Sequence, residues 1–109
     1  MSLERIFKAL VSLGLSEPDA RVYIYLALNG PKKRESIVYD LKISRDQIVQ
    51  SLENLQNKNI TISDPKSKNG LSVLPFEKAL KLLIKAEKEQ IIISEENLLS
   101  LWKSMIERF

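Results

Sequence analysis

The stretch "ISRDQIVQSLENLQNKNI", Ile43 to Ile60, carries two patterns at once. Ile48, Leu52 and Leu55 recur at the spacing of one helical face, with Val49 widening the stripe. Ser44 is placed to cap the first turn, and Gln47 three residues later to complete a capping box. Ile43 and Ile48 stand where a hydrophobic staple forms, and Asn59 where a helix ends in a left-handed residue. One amphipathic helix with a single buried stripe is predicted. Opposite that stripe project Asp46, Gln47, Gln50, Glu53, Asn54, Asn57 and Lys58. A solvated face is one reading, but such faces tend to be rich in Glu–Lys pairs four apart. Here the centre is Gln47, Gln50 and Asn54. A side-chain amide donates and accepts in one plane, the chemistry that reads an adenine edge in the major groove.

The flanking sequence gives this helix a setting. A shorter helix is predicted from about Arg34 to Leu41, burying Ile37, Val38 and Leu41, with only Leu41-Lys42-Ile43 before the capped helix. Two helices joined so tightly, the second with a polar outer face, form a helix-turn-helix. Downstream, Ile60–Ser63 and Leu71–Leu74 alternate like strands around Asp64–Gly70, a turn segment containing Lys66 and Lys68. A β-hairpin with a basic tip in that position is the wing of a winged helix.

Upstream, Leu3, Ile6, Phe7, Leu10 and Leu13 repeat with helical period until Gly14. Ser16 caps a second helix, with Pro18 in its first turn and Asp19 at the third position. Ala20 to Leu28 is apolar almost all the way round, so this helix is expected to be the most enclosed. Its tyrosines, at helical spacing inside an apolar run, read as core rather than as stacking platforms. Asn29-Gly30-Pro31 ends it.

From Phe76 to Phe109 the chain is helical again. Ile84, Ile91, Leu98 and Met105 fall seven apart, accompanied by Leu80, Leu101, Trp102 and Phe109, a coiled-coil-like seam interrupted by Glu87 and Ser94. The β-branched run Ile91–Ile93 before Ser94-Glu95-Glu96 leaves two forms open, one long helix or two with a kink near Ser94. The greasy end is best covered by a partner chain.

With 109 residues, 44% hydrophobic and 28% charged, the chain suits one globular domain with an appended helix. There is no cysteine and no histidine. Disulfides and thiolate or imidazole metal sites are excluded, only carboxylates remain for acid–base work, and no pair of them is flanked by a recognisable cleft. No enzyme, metal or cofactor is therefore expected. No membrane-spanning run or signal peptide is visible, so a cytoplasmic location is expected. The net charge of +3 lies in the middle of the chain: residues 31–70 hold eight basic and five acidic side chains, and the segments on either side balance to zero. Such a cluster around one helix is the footprint of a phosphate-binding surface.

The segment Leu13–Ile60 resembles the N-terminal winged helix-turn-helix of TrmB-type transcriptional regulators from archaea. The resemblance rests on Leu13 to Ser16, Glu17, Ala20 to Tyr23, Gly30-Pro31, Ile43 to Arg45 and the Leu52/Leu55 helix, and continues into the hairpin and Pro75. It covers roughly residues 3 to 80. It implies sequence-specific binding of double-stranded DNA as a homodimer, with Arg45, Gln47, Gln50 and Asn54 on the recognition helix and Lys66 and Lys68 in the wing. Many such proteins carry glycine where this chain has Lys42, so the turn is expected to differ locally. Asp46 and Glu53 would repel phosphates unless they meet cytosine or pair with Arg45 or Lys58. The sugar-binding sensor domain of longer members is not expected here.

The expected architecture is thus mainly α with a small β-hairpin: a winged helix-turn-helix over residues 1–75 and a C-terminal dimerisation helix over 76–109. Ser44, Arg45, Gln47, Gln50 and Asn54 are the candidates for base contacts, and Lys32, Lys33 and Arg34 for the DNA backbone. Ile84, Ile91, Leu98, Leu101, Trp102, Met105 and Phe109 are the candidates for dimerisation. The alternative is a winged helix used as a protein-interaction module in a transcription assembly. The sequence names no operator, no effector and no direction of regulation.

Overall fold

A computed structural model describes residues 3–63 and 70–108. The wing residues Lys66 and Lys68, and Phe109, lie outside the described residues. The chain forms α1 (Leu3–Ser12), α2 (Glu17–Asn29), α3 (Arg34–Leu41), α4 (Arg45–Asn57), β1 (Thr61–Ser63), β2 (Leu71–Val73) and α5 (Phe76–Glu107). This is the mainly helical winged helix-turn-helix with a hairpin and a long C-terminal helix that the sequence predicts.

Helix α2 is the centre of the packing. Ala20, Val22, Tyr23 and Leu26 are buried along it, and α1, α3, α4 and β2 all pack against it. Ser16 Oγ accepts from the Asp19 amide at 3.3 Å, which satisfies one of the unpaired N–H groups of the first turn. Two helices close on Schellman motifs. Leu15 N donates to Leu10 O and Gly14 N to Val11 O at the end of α1; Ile60 N donates to Leu55 O and Asn59 N to Gln56 O at the end of α4. Gly14 and Asn59 are the left-handed residues, at φ 105° and 61°. The Leu55–Ile60 pair that brackets the second motif is fully buried.

The turn between α3 and α4 keeps the left-handed geometry that glycine would supply. Lys42 sits at φ 55°, ψ 37°, and its N–H donates to Val38 O. The expected local difference is therefore one of residue type rather than of backbone path. A side chain in this region costs about 1 kcal/mol. Packing of Ile37 and Ile48 on either side of the turn, and a hydrogen bond from Arg21 Nη2 on α2 to Leu41 O, hold it in place.

The hairpin is more than two strands. β1 and β2 pair antiparallel with Thr61 opposite Val73, and Lys32 joins the other edge of β2, exchanging both backbone hydrogen bonds with Leu71 at 3.0 and 2.8 Å. Tyr23 OH reaches Leu74 O at 2.9 Å, tying the base of the hairpin to α2. Gly70, at φ 89°, lies so close to Lys32 that a Cβ there would clash with its carbonyl oxygen.

Helix α5 runs unbroken through Ser94, so the segment forms one long helix rather than two. The helix preference of Ile91–Ile93 is weaker by only a few tenths of a kcal/mol per residue, too little to stop a helix already nucleated on both sides. Its first turns belong to the core, where Ala79 and Leu83 are buried. From Lys88 to Arg108 every side chain is exposed.

Gly70→Ala is expected to lower the unfolding free energy by about 1–3 kcal/mol, through backbone strain and the clash with Lys32, as read by urea denaturation. A second expectation concerns pH. Tyr25 donates its phenol to Asp40 Oδ2, joining α2 to α3, and that hydrogen bond, helped by desolvation and the carboxylate's charge, pushes its pKa from 10.0 up to about 12. The folded state holds this proton more tightly, so the contribution to stability is complete below pH 10 and disappears as pH approaches 12. The stability difference between wild type and Tyr25→Phe should accordingly shrink across that window in unfolding curves taken at successive pH values.

Candidate nucleic-acid interface

Four residues of α4 are buried: Ile48, Ser51, Leu52 and Leu55. The sequence pattern suggested that Val49 widens this stripe. Val49 is half-buried and does so on one side, while Ser51, fully buried, widens the stripe further on the other, which decides which residues face outward. The outermost line is Asp46, Gln50, Glu53 and Asn57, all exposed. Gln47 and Asn54 fall on the flank turned toward α2 and are half-buried, while Arg45 and Gln56 lie on the flank turned toward the hairpin. Of the three amides expected at the centre of the outer face, only Gln50 is there.

Local hydrogen bonds then determine how each amide is presented. Ser44 Oγ caps the helix by accepting from Gln47 N at 3.2 Å. The Gln47 side chain does not return to the Ser44 backbone, so the capping box is only half formed; its Nε2 donates to buried Ser51 Oγ at 3.3 Å. Gln50 Nε2 donates to Asn54 Oδ1 at 3.0 Å, and Asn54 Nδ2 donates to Asp19 Oδ2 at 3.1 Å. Asp19 is only 2% exposed, and its Oδ1 has no hydrogen-bond partner among the described residues. Sequence reading missed this connection. Asp19 reads there as an ordinary first-turn acid, and no spacing rule links it to a residue on α4.

The basic residues gather on the other flank. Arg34, at the first position of α3, lines a cleft of about 340 Å³ with Val49, Glu53, Gln56, Thr61 and Leu71. Lys33 precedes it as the exposed N-cap of α3, and half-buried Lys32 is held by its bridge to Leu71. Arg45 opens α4 beside Ser44 and is exposed. Among the described residues the ion pairs are Lys8–Glu4 and Lys81–Glu77, both away from this surface. Asp46 and Glu53 thus pair with neither Arg45 nor Lys58, and the charges of both signs remain open to a partner.

The surface offers an uncapped amide–carboxylate line between two basic segments, projecting from the second helix of a helix-turn-helix. The described residues contain no group of His, Cys, Asp or Glu that could hold a metal ion, and no helix long and apolar enough to cross a membrane.

Residues 10–77 match the family model described as the sugar-specific transcriptional regulator TrmB. No curated protein matches the chain. Among solved structures, a MarR-like transcriptional regulator from Thermotoga maritima is similar over 96% of this chain and 97% of its own, at 19% identity and a TM-score of 0.48. Because the family match spans more than half of the sequence, the chain belongs to the TrmB family of transcriptional regulators.

Proposed function

We propose that this protein is a sequence-specific double-stranded DNA-binding regulator that acts as a homodimer. The observation that carries the reading is the outward surface of α4: Ser44, Arg45 and Gln50 are accessible at the N-terminal half of the second helix of a helix-turn-helix, the half that meets base edges in such motifs. In this reading Gln50 is the principal base reader and Arg45 its neighbour. Gln47 and Asn54 contribute from the flank, Gln47 with its Nε2 bonded to Ser51, and Asn54 with its Nδ2 bonded to Asp19 and its Oδ1 accepting from Gln50. Ser44 enters the major groove beside them, Lys32, Lys33 and Arg34 make backbone contacts that set register without reading sequence, and Lys66 and Lys68 reach phosphate or the adjacent minor groove. Asp46 and Glu53 add selectivity by accepting from cytosine N4 and by rejecting groove edges that present only acceptors.

Dimerisation is assigned to α5 and divides the chain into a DNA-binding unit over residues 1–75 and a pairing segment over 76–109. A helix of 32 residues is about 48 Å long. Its distal half presents Ile91, Leu98, Leu101, Trp102 and Met105, each between 46% and 66% exposed, on one broad side. Glu89, Glu96, Ser100, Lys103 and Glu107 lie on the other. An apolar stripe of that length on a charged helix favours a second copy over open solvent. Ile84, at 38% exposed, begins the seam beside the winged domain. Pairing through α5 would place two copies of α4 on one side of a duplex, so the operator is a near-palindrome with half-sites one or two helical turns apart. The cell interior is the corresponding location, and no catalysis is assigned.

Asp46 and Glu53 on the outermost line of α4 are what a protein-docking surface would also use. Selection of genomic fragments by the purified protein separates the two readings: a DNA regulator enriches particular fragments, and a docking module enriches none. On an enriched fragment, Gln50→Ala should cost about 1–3 kcal/mol and relax preference at one base pair. Lys68→Ala should weaken all sequences alike and reduce the salt slope by about one. Equal loss on specific and random duplex for Gln50→Ala would contradict its role. For the dimer, Leu98→Lys should convert two-chain particles to single chains in light scattering while leaving the unfolding of the winged domain nearly unchanged.

A further inference from the structure

We infer that Asp19, on α2, is a positioning residue for base reading, acting through Asn54 on the direction in which Gln50 presents its amide. The inference rests on the proposed reading of α4 and extends it to a residue that cannot touch DNA, since Asp19 is buried. Its basis is a chain of two hydrogen bonds with a fixed polarity. A carboxylate oxygen can only accept, so the Asn54 side chain must turn its NH2 group toward Asp19 Oδ2, 3.1 Å away. Its carbonyl oxygen then points along α4 and can only accept in turn, which it does from Gln50 Nε2 at 3.0 Å. The orientation of both amides follows from the one group in the chain whose role as acceptor is not interchangeable. Gln50 is left with Oε1 and its second Nε2–H, an acceptor and a donor in a defined order along the exposed line of the helix.

That order matters for what can be read. Adenine presents N7 as acceptor and N6–H as donor in the major groove, and a glutamine amide matches them only with its donor toward N7 and its acceptor toward N6. An amide free to turn over would meet either order. One held from behind meets one order and loses less rotational freedom on binding. Burial of Asp19 strengthens the hold, because in a site of low dielectric the carboxylate's bond to Asn54 is electrostatically stronger than in water. A solvated carboxylate at that position would not transmit a preference.

The test is Asp19→Asn, which keeps the size and the first-turn position but can present either a donor or an acceptor to Asn54. On the fragment selected by the wild-type protein, preference at the base pair read by Gln50 is expected to fall from roughly tenfold or more to near parity. Affinity for random duplex and the salt slope should stay unchanged, and adding Gln50→Ala to Asp19→Asn should remove nothing further at that position. Retained preference in Asp19→Asn, or an equal loss on selected and random duplex, would overturn the inference while leaving the DNA-binding reading intact. A wild-type protein that selects no fragment would overturn both. Should Asp19→Asn fail to fold, the wild-type side-chain amide signals decide. Those of Asn54 and Gln50 should exchange with solvent more slowly than those of exposed Asn57, and equal rates would refute the relay.

Discussion

Helix α4 is held in place before it meets any partner, and everything proposed for this protein depends on that. Its stripe of Ile48, Leu52 and Leu55 packs against α2, with Ser51 buried among them. Its entry is set by Ser44 and by the left-handed turn at Lys42, and its exit by the Schellman motif at Asn59 and Ile60. A helix free to roll by one residue would turn Gln50 by about 100° and present a different set of side chains. The apolar stripe drives the observed roll, and the burial of Ser51 marks it. The rigid presentation of a few polar groups is what a base-reading surface requires, because the discrimination available from each hydrogen-bonded pair is only a few kcal/mol and is lost with misplacement.

Most of the fold was legible in the sequence because its signals are local. Caps, glycine stops, the 3.6-residue periods and the alternating strands each act within a few residues, and they marked α3, α4 and the hairpin closely. What the sequence could not give was the roll of α4. A serine at the edge of an apolar stripe looks polar in one dimension and is buried in three, because Gln47 can supply its hydrogen bond. The Asp19–Asn54 contact was invisible for a different reason: it joins positions 35 residues apart, and neither residue is unusual where it stands. Lys42 shows the converse case, a residue with the wrong preference whose backbone is imposed by its surroundings.

Helix α5 carries most of the exposed large apolar side chains among the described residues. Its heptad-like spacing is clear, but the buried part is confined to Ala79 and Leu83, while Ile84, Ile91, Leu98, Leu101, Trp102 and Met105 are exposed. Those apolar side chains and the polar surface of α4 are two halves of one design in the proposed reading. The first joins two copies, and the second is thereby repeated with two-fold symmetry, which doubles the number of base pairs read and the phosphate charge neutralised. In the same reading the positive charge concentrated in residues 31–70 would bring the duplex to that surface, while the segments on either side are neutral.

The most direct measurement of the central claim is protection of guanine N7 from methylation on a selected duplex, since that atom lies in the major groove. A paired α4 surface should give two protected blocks related by two-fold symmetry, one or two helical turns apart, both on the same side of the helix. Protection confined to a single block, or none in the major groove under conditions where the protein is bound, would contradict it.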